Sequence, residues 1–155
     1  MRLKVLWPGK TRNKEIKNLQ HFYLERINRM VSCQVIETKE AKGIDEKFAR
    51  KIRKIEAGGL EKHFKDDYII CLSDRGKEMR SSKFSRFLEK RAMNSAKDTT
   101  FVAGGFLGLD ERILQRADFL LSLSKMTFSH ELTRLLLLEQ IYRSLTVMKG
   151  INYAK

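Results

Sequence analysis

The sequence predicts a three-layer α/β domain, in which helices cover both faces of a parallel sheet. Short apolar segments alternate with helical patterns along the whole chain, as in repeated strand–helix units. One of these segments, 68–72, is continuously apolar, which is typical of a strand buried on both faces. The 155 residues contain no linker, repeat or low-complexity stretch, so we expect residues 1–155 to form a single domain.

The first strand–helix unit shows two different periodicities. Leu3, Val5 and Trp7 alternate with polar residues, which predicts a strand that stops at Pro8-Gly9. Apolar residues then recur every three or four positions from 13 to 30. This spacing predicts a helix with one buried face.

The second unit has less certain boundaries. Residues 33–36 have the composition of a strand, and residues 44–63 again show helical spacing. Gly58-Gly59 interrupts that spacing, and the pair either ends this helix or divides it in two.

The alternation continues to the end of the chain. After the strand at 68–72, the pattern predicts a helix from about 82, a strand at 100–103, a helix at 110–116, a strand at 119–123 and a helix at 130–149. The last helix contains four consecutive leucines, Leu135–Leu138, which point in directions about 100° apart and cannot all face one sheet. A second subunit is the natural cover for such a helix, and deep placement in the chain's own core is the alternative.

The composition favours a polyanionic partner. There are 32 Lys and Arg residues against 19 Asp and Glu, which leaves a net charge of +13. Such an excess favours contact with nucleic acid, although basic runs are often only solvated surfaces. The basic residues near the first turn, the third strand's end and the tail are Lys10, Arg12, Lys14, Arg75, Lys77, Arg80, Lys83, Lys149 and Lys155.

The cysteines and the apolar segments argue against a metal-binding, a secreted or a membrane-spanning protein. Cys33 and Cys71 lie inside apolar segments without a CxxC or a His/Cys cluster, so we expect buried free thiols and no metal site. The chain begins directly as a strand, and no segment is long enough to span a membrane. We therefore expect a cytoplasmic protein.

Candidate ligand-binding residues follow three of the predicted strands, at 72–76, 104–108 and 123–128. Ligands of open parallel sheets bind at the carboxyl ends of strands, and glycines there let a ligand approach the backbone. Glycine-rich turns are also common as purely structural turns. The GxGxxG spacing is absent, which disfavours a dinucleotide site.

Longer motifs resemble one known family over essentially the whole chain. They comprise the opening strand up to Pro8-Gly9-Lys10, LSDRGKEMRSSKF at 72–84, FVAGGFLGL at 101–109 and LSLSKMTFSHELTRLLLLEQIYRSLTVMKGINY at 121–153. In these motifs the chain resembles the SPOUT-superfamily methyltransferases that act on N3 of pseudouridine in 23S ribosomal RNA.

The resemblance implies a fold, a cofactor and partners. The fold is an α/β knot with a trefoil-knotted C-terminal region, and the cofactor is S-adenosylmethionine. The implied partners are a second copy of the chain, in a homodimer, and 23S rRNA in the assembled ribosome. The residues expected at the cofactor by position are Leu72, Gly104, Gly105, Leu123, Ser124, Lys125, Met126, Thr127 and Phe128.

Three residues are candidates for the catalytic step. His130 lies beside the cofactor segment, Arg143 follows on the last helix, and Tyr153 is close to the end of the chain. Ser129 precedes His130 as a good N-cap, so His130 could instead be solvated in the first turn. Arg143 lies four residues after Glu139, where an ion pair often only stabilises a helix.

The chain departs from the family's pattern at two places. Ser129 stands where the family commonly has proline, and Tyr153-Ala154-Lys155 replaces an ending in Tyr-His and a basic residue. Without that histidine, His130, Tyr153 or solvent must accept the proton. An active rRNA methyltransferase is the leading hypothesis. A weak or inactive family member that still binds ribosomes or RNA is the alternative, and a small-molecule enzyme is a third.

Overall fold

The computed structural model describes residues 1–94 and 97–153 and has the predicted α/β architecture. Its strands are β1 (Leu3–Pro8), β2 (Cys33–Thr38), β3 (Tyr68–Glu78), β4 (Thr99–Val102) and β5 (Phe119–Ser122). Its helices are α1 (Lys14–Asn28), α2 (Ala49–Glu61), α3 (Ser81–Asn94), α4 (Glu111–Gln115) and α5 (His130–Met148). The strands form one parallel sheet in the order β2-β1-β4-β3-β5.

The sheet is covered on both faces, as the three-layer prediction requires. On one face α1, α3 and α5 bury the larger core, where Trp7, Phe84, Phe101 and Leu138 are almost fully excluded from solvent. On the other face α2 and α4 cover a smaller core that includes Leu60. Burial of this apolar surface is the main favourable contribution to folding.

The predicted break in the second helix does not occur at the glycine pair. Helix α2 runs through Gly58-Gly59 to Glu61, and a 3-10 turn at Glu46–Phe48 precedes it. Gly59 lies against Thr38, at the end of β2, where an added Cβ would be 3.6 Å from the threonine Cβ. The pair therefore allows α2 to approach β2 closely, and the alternatives that it ends or divides the helix are both wrong.

The third strand is longer than the predicted 68–72. Leu72 and Lys77 both pair with Leu121 of β5, so the residues between them leave the sheet and return with a shifted register. On its return the chain passes very close to β5, because a Cβ on Gly76 would lie 2.5 Å from the Leu121 carbonyl carbon. Only glycine fits such a crossing. The trefoil knot implied by the family resemblance stays a prediction.

Helix α5 is largely covered within one chain. It packs between α1 and α3, and its Leu137, Leu138 and Ile141 are fully buried. Deep placement in the chain's own core therefore accounts for most of its apolar residues, and the argument for a second subunit from the leucine run loses force. Val147, at the far end, is 60% exposed. Among the described residues, no helix is long and apolar enough to cross a membrane.

Candidate active site

A cavity of about 460 Å³ opens at the carboxyl ends of β3, β4 and β5. The strand order places β3 between β4 and β5, so the segments that follow these strands meet at one edge. All nine residues predicted at the cofactor line this cavity: Leu72, Gly104, Gly105, Leu123, Ser124, Lys125, Met126, Thr127 and Phe128. The volume is in the range of ordinary small-molecule sites.

The excursion of β3 forms one wall of the cavity. Ser73, Asp74 and Arg75 leave the sheet here and line the opening. The Ser73 hydroxyl accepts a hydrogen bond from the Arg75 backbone N–H at 3.2 Å, which holds the excursion in shape. The Arg75 guanidinium forms an ion pair with Glu111 at 2.6 Å, on the adjoining start of α4.

The glycine turn forms the second wall, and packing against protein explains two of its glycines. The Gly108 N–H donates to the Gly105 carbonyl at 3.1 Å and closes the turn. A Cβ on Gly104 would lie 2.6 Å from the Gly108 carbonyl carbon, and a Cβ on Gly105 would lie 3.1 Å from Pro8 and Glu56. Close packing against the protein is therefore sufficient to require glycine at these two positions, and room for a ligand against the backbone stays a prediction.

The segment 123–128 forms the third wall. The Ser122 hydroxyl donates to the Ser124 carbonyl at 3.0 Å, and the Met126 N–H donates to the Ser124 hydroxyl at 2.9 Å. These bonds hold the segment in a compact loop over the end of β5. Met126 itself is 76% exposed at the cavity's edge.

Three helices contribute lining residues that the sequence did not indicate: Arg53 from α2, Leu114 from α4 and Thr133 from α5. No local pattern marks them, because each reaches the cavity through the packing of its helix against the sheet. Arg53 adds to the charge of the site. The cavity is lined by the cations Arg53, Arg75 and Lys125 and by one carboxylate, that of Asp74.

His130 lies at the cavity, at the first residue of α5. The Ser129 hydroxyl caps this helix by accepting from the Leu132 N–H, so the capping prediction is confirmed. Burial, and secondly the positive charge of Arg134, lower the pKa of His130 below its usual value of 6.5. The imidazole is therefore neutral near pH 7, the form that accepts a proton.

Arg134 is a buried cation that the sequence analysis did not single out. It is only 1% exposed, and its guanidinium donates to the carbonyls of Pro8 and Gly9 at 2.7 and 3.3 Å and to the Thr11 hydroxyl at 3.3 Å. Burial lowers its pKa to about 10, against the opposing effect of nearby carboxylates, Glu131 first. Arg134 thus fixes the end of β1 to the start of α5, directly behind His130.

Arg143 and Tyr153 lie at the other end of α5. The Arg143 guanidinium pairs with Glu139 at 2.8 Å and lies 4.9 Å from the centre of the Tyr153 ring. The Tyr153 hydroxyl is 3.2 Å from that of Tyr23. Burial, followed by this hydrogen bond, raises the pKa of Tyr153, so its hydroxyl stays protonated. Thirteen helical positions separate His130 from Arg143, about 20 Å along one chain.

The predicted basic groups divide between paired and solvated positions. Arg12 pairs with Glu40 at 2.8 Å, and its backbone N–H donates to Glu131. The residues Lys10, Lys14, Lys77, Arg80, Lys83 and Lys149 are exposed. The predicted Ala154 and Lys155 lie outside the described residues.

The described part of the chain contains no group of three His, Cys, Asp or Glu side chains that could hold a metal ion. Cys33 and Cys71 are buried and free, as predicted. Burial raises the pKa of each thiol to about 12, so both stay protonated and unreactive.

Comparison with known proteins identifies the family. Residues 1–154 match the family model described as "Predicted SPOUT methyltransferase". The chain is 37% identical over 157 residues to the ribosomal RNA large subunit methyltransferase H of Acetivibrio thermocellus, covering 99% of both chains. It is 38% identical over 152 residues to the protein of that name from Thermodesulfovibrio yellowstonii, covering 98% of this chain and 97% of the other.

Solved structures support the fold independently. A probable methylase family protein from Haemophilus influenzae is similar with a TM-score of 0.54 at 13% identity, over 99% of this chain and 72% of the other. A probable methyltransferase from Bordetella pertussis is similar with a TM-score of 0.55 at 10% identity, over 93% and 96%. The chain belongs to the SPOUT methyltransferase family. The predictions of a SPOUT fold and of a methyltransferase are confirmed.

Proposed function

We propose that this chain transfers a methyl group from S-adenosylmethionine to N3 of a pseudouridine in large-subunit 23S rRNA. The relatives named as large-subunit rRNA methyltransferases support rRNA as the substrate, and the net charge of +13 suits that polyanion. The observation that carries the proposal is that all nine residues predicted at the cofactor line one cavity, beside a neutral His130. On this proposal the enzyme works on assembled ribosomes in the cytoplasm.

The residues of the cavity fit S-adenosylmethionine. Leu72, Leu109 and Leu123 give it an apolar wall suited to an adenine ring, and the turn at 104–108 and the loop at 123–128 bring backbone N–H and C=O groups to its edge. The carboxylate of Asp74 offers a negative charge to a cationic sulfonium. When bound, the cofactor supplies an activated methyl group, so the protein's main task is to position the nucleophile.

His130 is the best-placed proton acceptor. The N3 of pseudouridine carries a proton that must leave before or during methylation, and the neutral imidazole at the cavity can accept it. Tyr153 stays protonated and lies at the far end of α5, so within one chain it cannot perform that step. On this proposal Tyr153 and Arg143 instead bind or orient the substrate, which requires them to exchange their contacts with Tyr23 and Glu139.

A homodimer would bring the two groups of residues together. Within one chain, about 20 Å of helix separates His130 from Arg143, so one active site can contain both only if a second copy supplies one of them. The exposed Val147 and Ile151, close in sequence to Tyr153, give that end of α5 an apolar surface for such contact.

The proposal is tested in two stages. Calorimetric titration with S-adenosylmethionine should show saturable binding, and no binding at millimolar cofactor would exclude the enzyme. Labelled methyl transfer is then compared on intact ribosomes, naked rRNA and ribosomes that carry uridine instead of pseudouridine at the modified position. We expect transfer to the first, much less to the second and none to the third.

The alternative function, a weak or inactive member that still binds ribosomes or RNA, is motivated by Ala154 in place of the family's terminal histidine. It predicts cofactor and ribosome binding without turnover. Mass spectrometry of rRNA from cells with and without the chain separates the two functions. If the chain is an active enzyme, one methylated nucleotide is missing from the rRNA of cells that lack it.

A further inference from the structure

Two large apolar side chains stand exposed at the edge of the cavity. Phe106 is 68% exposed on the glycine turn, and Met126 is 76% exposed on the facing loop. The Phe106 ring meets the His130 ring edge to face, with centroids 6.2 Å apart. An exposed aromatic face beside a neutral imidazole is an arrangement that takes a flat, unsaturated ring.

The same cavity contains a guanidinium without a carboxylate partner. Arg53, on α2, lines it and forms no ion pair with any residue of the described chain, whereas Arg75 is engaged by Glu111. A half-buried guanidinium is a fitting partner for a phosphate, which it can bind through two parallel N–H bonds. The lining therefore offers a stacking face and an unengaged cation within one opening.

From this geometry we propose that Phe106 and Arg53 bind one unpaired nucleotide of the RNA: the base stacks on the Phe106 ring, and Arg53 binds the adjoining phosphate. The proposal rests on the proposed function, because it names what enters the cavity beside the cofactor. Single-stranded nucleic acids are bound in this way, by aromatic faces and a cationic groove. Stacking tolerates any base, so these two residues hold the nucleotide and leave its identity to other contacts.

The first test measures stacking directly, in the absence of cofactor and ribosomes. The probe is a single-stranded oligouridylate containing one 2-aminopurine, whose fluorescence falls when the base stacks. At low salt the unmodified protein should bind the probe and quench it. Phe106→Leu should weaken binding roughly 10-fold or more and remove the quenching, whereas Phe106→Tyr should retain both.

The matched control is Phe48→Leu, since Phe48 is 51% exposed but does not line the cavity. It should bind like the unmodified protein. The stacking role of Phe106 is wrong if the unmodified protein does not bind the probe or if Phe106→Leu binds it equally well. It is also wrong if Phe48→Leu loses as much affinity for the probe as Phe106→Leu does. It is also wrong if Phe106→Leu changes only the sedimentation of the protein, because Phe106 would then contact a second copy of the chain rather than RNA.

The second test measures the phosphate contact through salt. Arg53→Gln should lower the slope of log affinity against log salt concentration by about 0.7, the value for one phosphate contact of a single strand. Arg50→Gln is its control, because Arg50 is exposed one turn earlier and does not line the cavity. Equal slopes for Arg53→Gln and the unmodified protein would overturn the phosphate role. Calorimetry with S-adenosylmethionine on the same proteins tests the proposed function separately, since neither variant removes a residue predicted at the cofactor.

Discussion

The two ends of α5 are built in opposite ways. At its start, Arg134 is 1% exposed and donates to the carbonyls of Pro8 and Gly9, while His130 faces the cavity. Near its end, Arg143 makes an ion pair with Glu139 one turn away and lies over the Tyr153 ring. Arg134 connects α5 to the end of β1, whereas Arg143 contacts Glu139 of its own helix and Tyr153 of the tail that follows it.

This difference separates two kinds of role along a single helix. Contacts at the start of α5 join residues distant in sequence, so they fix the shape of the cavity. At the end, the ion pair of Arg143 is local and Tyr153 is held to the Tyr23 hydroxyl of α1, and none of these residues lines the cavity. We expect Arg143 and Tyr153 to exchange these partners for a substrate or a second chain. We therefore expect changes at the start of α5 to disturb chemistry and stability strongly, and changes at its end to leave the fold intact.

The largest expected effect comes from His130→Ala. Removing a general base usually costs a factor of about 10²–10⁴ in kcat, and we expect a loss in that range with cofactor binding retained. Single-turnover methyl transfer to ribosomes gives the rate, and calorimetry gives the affinity for the cofactor. A loss below threefold would exclude His130 as the proton acceptor.

The pH profile sharpens the same assignment. Because burial lowers the pKa of His130 below 6.5, the imidazole is neutral and competent at neutral pH. As the pH falls through that lowered pKa, the ring gains a proton and kcat should fall. This acid limb should be missing from the residual activity of His130→Ala. A limb that persists in the variant would belong to another group.

Arg134→Met should have the largest effect on stability. It leaves two buried carbonyls without their donor and removes the cation that faces Glu131, Glu40 and Glu56, so we expect a cost of about 3–5 kcal/mol. Urea unfolding followed by circular dichroism measures it. Arg143→Met is the matched control, and an equal cost for both variants would contradict the comparison of the two helix ends.

Gly104→Val tests the cavity wall with a smaller effect. A Cβ at this position would lie 2.6–3.0 Å from the Gly108 backbone, so the turn must move and the cavity must change shape. We expect a loss of about 100-fold in affinity for S-adenosylmethionine, measured by calorimetry. Gly58→Ala is the control, because nothing lies within 4 Å of an added Cβ in this part of α2. It should keep full affinity and gain up to about 1 kcal/mol in stability.

The sequence predicted those features whose signal is local or belongs to the family's motifs. The periodicities located the strands and helices, and the motifs at 72–84, 101–109 and 121–153 located the nine cavity residues. Arg53 and Arg134 were missed, because no local pattern marks them: Arg53 reaches the cavity only through the packing of α2 against the sheet, and Arg134 bonds to Pro8 and Gly9, more than 120 positions away. The return of β3 beyond Leu72 was missed for the same reason, since only its pairing with β5 reveals it.

The smallest expected effect on stability comes from Arg143→Gln. Its pair with Glu139 is partly exposed and joins neighbouring turns, so its loss should cost about 0–1 kcal/mol in urea unfolding. Its effect on turnover reports on the homodimer. If a second copy supplies Arg143 to the cavity that contains His130, co-expressed His130→Ala and Arg143→Gln chains should regain roughly a quarter of full activity. Half of the dimers are then mixed, and one of the two sites in each is intact. If both residues serve the cavity of their own chain, the mixed preparation stays as inactive as its parents. The proposal that the partner subunit supplies Arg143 is then wrong.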